Sequence, residues 1–208
     1  MTQEGLPIII SAPSGAGKTT ILRALKERLP DLNFSVSHTT RPPRENEQEG
    51  VDYHFVAGEK FHEMIDHDEF LEWAQIHDNF YGTARKNIEE TLQQGKDLVL
   101  ELDVQGVETL RHLKYRGVYI FILPPSMEEL EKRLTGRATE SDNQVQQRLE
   151  TGKKEMAKSR LYDYAVTNVN VEESVDTLLA IIHAEKKRMS RYQPDCPKLR
   201  KIIESGTA

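Results

Sequence analysis

The chain has 208 residues, 37% hydrophobic and 30% charged, with a formal net charge of -6 and a single cysteine, Cys196. That length supports one large domain or a core with small insertions, and the acidic balance argues against general nucleic-acid binding, which relies on basic surface. One cysteine excludes an internal disulfide and fits a reducing compartment; with neither a signal-peptide pattern nor an apolar run of membrane-spanning length, the expected location is cytoplasmic.

The first predicted element is a strand at 8–10, Ile-Ile-Ile, which runs directly into Ser11-Ala-Pro-Ser-Gly-Ala-Gly-Lys-Thr19. A helical pattern follows, with Ile21, Leu22, Leu25 and Leu29 at helical spacing. Strand, glycine-bearing loop, Lys-Thr and helix together make the sequence form of a phosphate-binding P-loop. Gly15 and Gly17 let backbone N–H groups close on phosphate oxygens, Lys18 supplies a point charge, and the Thr19 hydroxyl can ligate Mg²⁺. The helix dipole points at the anion. Ala12 stands where the usual pattern opens with glycine, so the loop has to hold a methyl group there. A plain turn would account for the glycines but not for Lys18-Thr19.

Residues 35–95 read as a small mixed lobe inserted between core strands. Residues 35–40 alternate, Arg41-Pro-Pro-Arg44 breaks regular structure, and 53–56 and 70–75 look like short strands. Asp78-Asn79 forms a turn before Phe80-Tyr81, and a helix over 85–94 stops at Gly95. Arg41 and Arg44 flank two prolines that stiffen the backbone, and arginine forks match phosphate oxygens, which suggests a second anionic group. The alternative is a solvated basic turn paired with Glu45, Glu47 and Glu49.

Apolar runs at 98–104 and 118–123 read as strands covered on both faces, so the core is α/β with a parallel sheet. Glu101 and Asp103 end the first of these runs, on the same side by alternation. Ligands gather at the carboxyl ends of such strands, which places Asp103 near Mg²⁺ or its waters. Capping of a helix over 104–110 is the alternative role for these acids. Ser126 with Glu129 makes a capping box for a helix ending near Gly136, and Ser141 with Gln144 makes a second. The polar segment 137–143 between them is expected to be mobile. Arg133, Arg137 and Arg148 suit a group of arginines that closes over a transferring phosphoryl group. An ordinary surface with pairs such as Glu129–Arg133 is the alternative. A long amphipathic helix over 171–189 buries Val171, Val175, Leu178, Leu179 and Ile182, and the tail beyond Tyr192 is expected to be loosely held.

Taken in order, Ser11–Thr19, Phe34-Ser-Val-Ser-His-Thr-Thr-Arg-Pro-Pro-Arg44, Gly50-Val-Asp-Tyr-His-Phe55, Glu69-Phe-Leu-Glu-Trp-Ala74, Tyr81-Gly-Thr83 and Asp103-Val-Gln-Gly106 resemble the guanylate kinases of the nucleoside-monophosphate kinase group. Arg133, Arg137 and Arg148 match the family's lid pattern, and the resemblance spans roughly 6–190. It implies a P-loop parallel-sheet core with helices on both faces (1–34, 96–124 and 160–208). Into this core are set a mixed α/β GMP-binding lobe (35–95) and a helical lid (125–159). It also implies phosphoryl transfer from MgATP to GMP. ATP would be held by Ala12, Pro13, Ser14, Gly15, Ala16, Gly17, Lys18, Thr19, Thr20 and Asn168. Catalysis would fall to Lys18, Arg41, Arg133, Arg137 and Arg148, with Thr19 and Asp103 serving Mg²⁺.

By the same resemblance, Arg41, Arg44, Tyr53 and Tyr81 hold the GMP phosphate. Ser37, Glu72 and Thr83 surround guanine, with Glu101 close by. The chemistry agrees, because guanine presents N1–H and an exocyclic amine that one carboxylate accepts together, whereas adenine turns a lone pair toward it. The alternative for Glu72 is a solvent-facing acid; its neighbour Trp73 is expected only to pack. Thr167-Asn168-Val169-Asn170 departs from the family's more usual Val-Asn-Asp-Asp. The expected partners are ATP and GMP, with neither nucleic acid nor membrane; the 171–189 helix and tail offer a surface for a homo-oligomer. The rival readings are a non-catalytic guanylate-kinase-like interaction module, which would have lost the P-loop, and another P-loop NTPase. A GTPase would need an Asn-Lys-x-Asp motif that this sequence lacks.

Overall fold

Continuous branched apolar runs can be satisfied only between two covering layers, and β1 (Pro7–Ser11) is buried along its whole length. The computed structural model describes residues 4–76, 78–136, 142–192, 194 and 196–205. Strand alternation sends Ile8 and Ile10 into one layer with Ile21 and Leu25 of α1 (Lys18–Arg28) and Val175, Leu178 and Ile182 of α7 (Val171–Lys186). Ile9 goes into the opposite layer, with Ile88 of α3 (Arg85–Gln93) and Val107 and Leu110 of α4 (Val104–His112). Each of the three isoleucines is fully withdrawn from water, which favours folding by about 2 kcal/mol apiece.

The remaining core strands are β2 (Asn33–Phe34), β7 (Leu98–Glu101), β8 (Val118–Leu123) and β9 (Tyr164–Thr167). They complete a five-stranded parallel sheet in the order β2-β7-β1-β8-β9. Because every strand points the same way, the segments after Ser11, Glu101, Leu123 and Thr167 all leave from one edge. A second, mixed sheet has the order β4-β3-β6-β5, from β3 (His38–Thr39), β4 (His54–Phe55), β5 (Phe70–Ile76) and β6 (Asn79–Ala84). Phe61 and Met64 of α2 (Gly58–Asp66) pack on it with Phe70. α5 (Met127–Thr135) and α6 (Asp142–Ala157) share a small core of Leu130, Leu134, Val145 and Leu149. The expected α/β architecture, with a parallel sheet clad on both faces and a smaller mixed sheet, is the one observed.

Several expectations change. β7 ends at Glu101, not at 104, because the Asp103 Oδ1 atom accepts the Gly106 N–H at 2.8 Å and starts α4; the capping role is therefore real. Ser126 caps α5 as expected, but Glu129 turns to Arg133 and leaves the box unreciprocated. Residues 142–143 belong to α6, whereas Arg137, Ser141 and the rest of the segment expected to be mobile lie outside the described residues. α7 stops at Lys186. The tail folds into α8 (Pro197–Ser205), where Pro197 opens the helix and Leu199, Ile202 and Ile203 recur at helical spacing. Trp73, expected to pack, is 43% exposed and only reaches the Phe80 ring at 6.1 Å. Among the described residues, no helix is long and apolar enough to cross a membrane.

Candidate active site

The edge where the parallel strands end carries the P-loop. Gly15 and Gly17 have φ of 90° and 95°, a region closed to most side chains. Packing closes these positions as well: a Cβ on Gly15 would come within 2.8 Å of Leu134, and one on Gly17 within 2.3 Å of the Asn168 amide. The Ala12 methyl needs no such tolerance, because it is buried in the layer that holds Ile8 and Ile10. Gly17 caps α1, so the first-turn N–H groups and the positive end of the helix face the loop. The Lys18 ammonium donates to the Leu102 carbonyl at 3.2 Å and lies 3.3 Å from the Glu101 carboxylate. Thr19 and Thr20 are exposed on the opening turn of α1.

Helices α5 and α6 grip this loop from above. Arg133 donates to the Ala16 carbonyl at 3.3 Å and the Asn168 carbonyl at 3.2 Å while keeping the Glu129 pair at 3.0 Å. Arg148 donates to Ser14 Oγ at 2.6 Å, and Glu155 accepts the Ser14 N–H at 3.4 Å. Burial beside the Asp103 charge pushes the Glu155 carboxyl above its usual range. Asn168 is only 4% exposed; its amide donates to the Ala16 carbonyl at 2.7 Å, so it shapes the loop from behind. Asp103 Oδ2, the oxygen not used in the cap, has one long contact from Gln105 at 3.5 Å.

Across from the loop the second sheet gathers the other expected cations and hydroxyls. The Arg41 guanidinium lies 5.6 Å over the Tyr53 ring, and the Tyr81 ring meets Tyr53 edge-on at 6.0 Å. Burial, with the Glu101 charge behind it, pushes the Tyr53 hydroxyl up to about 12, so it stays a neutral donor. Arg44 is exposed nearby. Glu47 stands between the two arginines: both its oxygens lie 2.9 Å from Arg41 Nη2, and one accepts the Arg44 N–H at 2.8 Å. The solvated-pair alternative is thus partly realised, by Glu47 alone among the three acids.

Ser37, Thr83 and Glu72 meet in one hydrogen-bonded chain, and Glu72 is buried. Thr83 Oγ1 donates to Glu72 Oε1 at 2.5 Å, which leaves Ser37 Oγ to donate to Thr83 at 3.4 Å. The other Glu72 oxygen abuts Gly106, where a Cβ would come within 2.6 Å. Glu72 thereby joins the second sheet to the start of α4. Burial lifts its pKa from 4.5 to about 7, against the lowering effect of the Thr83 bond.

That shift makes one contribution to the pH dependence of the ligand-free fold. Between pH 4.5 and 7 the folded chain holds a proton at Glu72 that the unfolded chain has released. The contribution of Glu72 to stability is therefore full below about 4.5 and falls by about 3 kcal/mol as pH rises to about 7. Burial holds His38 down from 6.5 to about 4, which adds stability over much the same rise in pH and offsets the decline in the parent, so the Glu72 effect should appear in the difference between thermal melts of ligand-free parent and Glu72→Gln. A wild-type-minus-variant difference that stays flat with pH would contradict the buried carboxyl.

Sequence reasoning missed Glu155 and undervalued Glu47. Glu155 lies seven residues after Arg148, two turns along the same face of α6, and that spacing was the available signal. Glu47 was visible only as one acid in a run of three.

The full set of elements recurs in known proteins. A family model described as guanylate kinase matches residues 4–185. The guanylate kinase of Geobacter sulfurreducens is 48% identical over 191 residues, covering 92% of this chain and 94% of that one. The guanylate kinase of Clostridioides difficile is 44% identical over 191 residues, covering 92% and 93%. A crystal structure of guanylate kinase from Anaplasma phagocytophilum matches with a TM-score of 0.77 at 33% identity, covering 99% of this chain and 96% of the other. The SH3-kinase fragment of tight junction protein 3 shares the fold alone, with a TM-score of 0.50 at 13% identity over 89% of this chain and 59% of that one. With matches of this extent and identity, the chain belongs to the guanylate kinase family.

Proposed function

We propose that the chain transfers the γ-phosphoryl group of ATP to GMP, giving ADP and GDP. The observation that supports this reading most is the presence of two clusters suited to phosphate beside a buried carboxylate suited to guanine. The P-loop with Lys18 forms one cluster, Arg41, Arg44, Tyr53 and Tyr81 the other, and the Ser37–Thr83–Glu72 chain lies beside them. The division of labour follows: residues 1–34, 96–124 and 160–208 hold ATP, 35–95 hold GMP, and 125–159 close over both.

The acceptor oxygen belongs to a phosphate already ionised near neutral pH, so no general base is needed, and catalysis is positioning and charge neutralisation. Lys18 would leave Glu101 for the donor phosphates. Arg133 and Arg148, already on the P-loop, would stabilise the charge of the transferring group, with Arg137 as the third lid arginine. Asn168 holds the Ala16–Gly17 peptide in register for the phosphates. Thr19 Oγ1 and Asp103 Oδ2 are hard oxygen donors beside the loop, a set that suits Mg²⁺. When bound with ATP the ion supplies positive charge to the β- and γ-phosphates. The substrates and the single exposed Cys196 both fit a cytoplasmic setting. No observation favours the interaction-module reading, since Gly15, Gly17, Lys18 and Thr19 are all in place.

The test is ADP release with GMP, AMP, CMP and UMP offered in turn as acceptor. Release only with GMP is expected. ATP hydrolysis that ignores the acceptor, or no turnover with any of them, would overturn the reading.

A further inference from the structure

We propose that Glu47 is the positioning residue of the acceptor-phosphate site: it fixes the Arg41 guanidinium and the Arg44 backbone in the geometry that receives the phosphate. This rests on the GMP reading above.

An arginine between two prolines and an acidic run can point many ways, and a phosphate site requires one. Glu47 supplies the restraint from three directions at once. Its two oxygens take the Arg41 Nη2 edge at 2.9 Å each, and Oε2 also accepts the Arg44 N–H at 2.8 Å. Arg41 Nη1 is tied separately to the Pro42 carbonyl at 2.7 Å. A guanidinium has five N–H donors. Those engaged with Glu47 and Pro42 cannot reach a ligand, and the guanidinium that carries the remaining donors is held 5.6 Å over the Tyr53 ring. The pair is sheltered, at 15% and 17% side-chain exposure, which distinguishes it from a surface ion pair worth little. Hydrogen bonds from Arg44 and Arg41 hold the Glu47 carboxyl below its usual range despite the opposing effect of burial, so it stays ionised at working pH.

The neighbouring acids differ. Glu45 is exposed, and Glu49 staples a different stretch through the Phe55 N–H at 2.7 Å and His54 at 2.9 Å. Glu47 and Glu49 thus have separate tasks in the loop from 41 to 55, where Asp52 also accepts the Gln48 N–H at 2.9 Å. Of these two glutamates, Glu47 is the one hydrogen-bonded to the arginines that would meet phosphate, while Glu49 meets Tyr53 through the backbone.

The test compares Glu47→Gln, Glu47→Asp and the control Glu45→Gln in steady-state turnover, with guanosine as a competitive inhibitor. Guanosine carries the base but no phosphate, so its inhibition constant reports the rest of the lobe. For Glu47→Gln we expect the GMP KM to rise about 30-fold, close to the loss of one charge-assisted bond. The ATP KM and the guanosine constant should stay within about twofold. Glu47→Asp should recover part of the loss, and Glu45→Gln should match the parent. An unchanged or lower GMP KM in Glu47→Gln would overturn the proposal, the lower value marking Glu47 as a mere competitor for the arginine. Equal loss for guanosine and GMP would also overturn it, since Glu47 would then only support the fold. Failure of the GMP reading itself would show separately, as absent GMP turnover in the parent protein.

Discussion

Replacing Lys18 by alanine should lower kcat by about a thousandfold while moving the melting temperature by only a few degrees. The size follows from removing a preorganised cation from a transferring phosphoryl group, where one lost donor costs about 10²–10³ and a full charge costs more. The small stability effect follows from what Lys18 does without ligand. It gives up one 3.2 Å bond to the Leu102 carbonyl and one 3.3 Å contact to a half-exposed Glu101. Contacts of that kind are worth about 1 kcal/mol at most, or about 2–4 °C in a chain of this size. Single-turnover measurements with saturating ATP and GMP, alongside a melt, separate the two. Turnover near the parent's would remove Lys18 from the mechanism.

The second large effect is expected at Glu72. Glu72→Ala should cut kcat/KM for GMP by about a thousandfold and bring it near the value for AMP. Two charge-assisted bonds to N1–H and the exocyclic amine, at about 2 kcal/mol each, account for the loss. The discrimination vanishes because the carboxylate both attracts guanine and repels the adenine N1 lone pair. Its pKa of about 7 adds a signature. Guanine needs the ionised form, so guanosine inhibition should weaken as pH falls through 7, by about tenfold at pH 6. Guanosine is the right probe, because the phosphate of GMP titrates near 6 and would obscure the effect. A GMP preference that survives in Glu72→Ala would move base recognition elsewhere.

Much of this is legible in the amino-acid sequence. The three-isoleucine strand, the glycines of the P-loop and the apolar faces of α1 and α7 are local patterns, and local patterns fix local structure. The placement of Arg41, Tyr53 and Tyr81 together came from the family resemblance and was met by the fold, although β3 and β4 are only two residues each and carry almost no periodic signal. Glu72 was read as guanine-facing or solvent-facing. Its burial depends on the packing of β5 against the start of α4, a contact between residues 34 apart in sequence that Gly106 makes room for. The roles of Glu47, Glu155 and Asn168 were hidden for the same reason. Each acts on a partner's orientation, and orientation is a property of the assembled loops. The polar composition and two prolines of the tail do not announce α8, whose helical spacing rests on Leu199, Ile202 and Ile203, all exposed.

The most direct measurement follows the phosphoryl group itself. Incubating the protein with Mg²⁺, GMP and ATP labelled at the γ-phosphate should yield labelled GDP in one-to-one ratio with ADP, with little label in inorganic phosphate. Label appearing mainly as inorganic phosphate, or GDP that remains unlabelled while ADP accumulates, would contradict direct transfer from ATP to GMP.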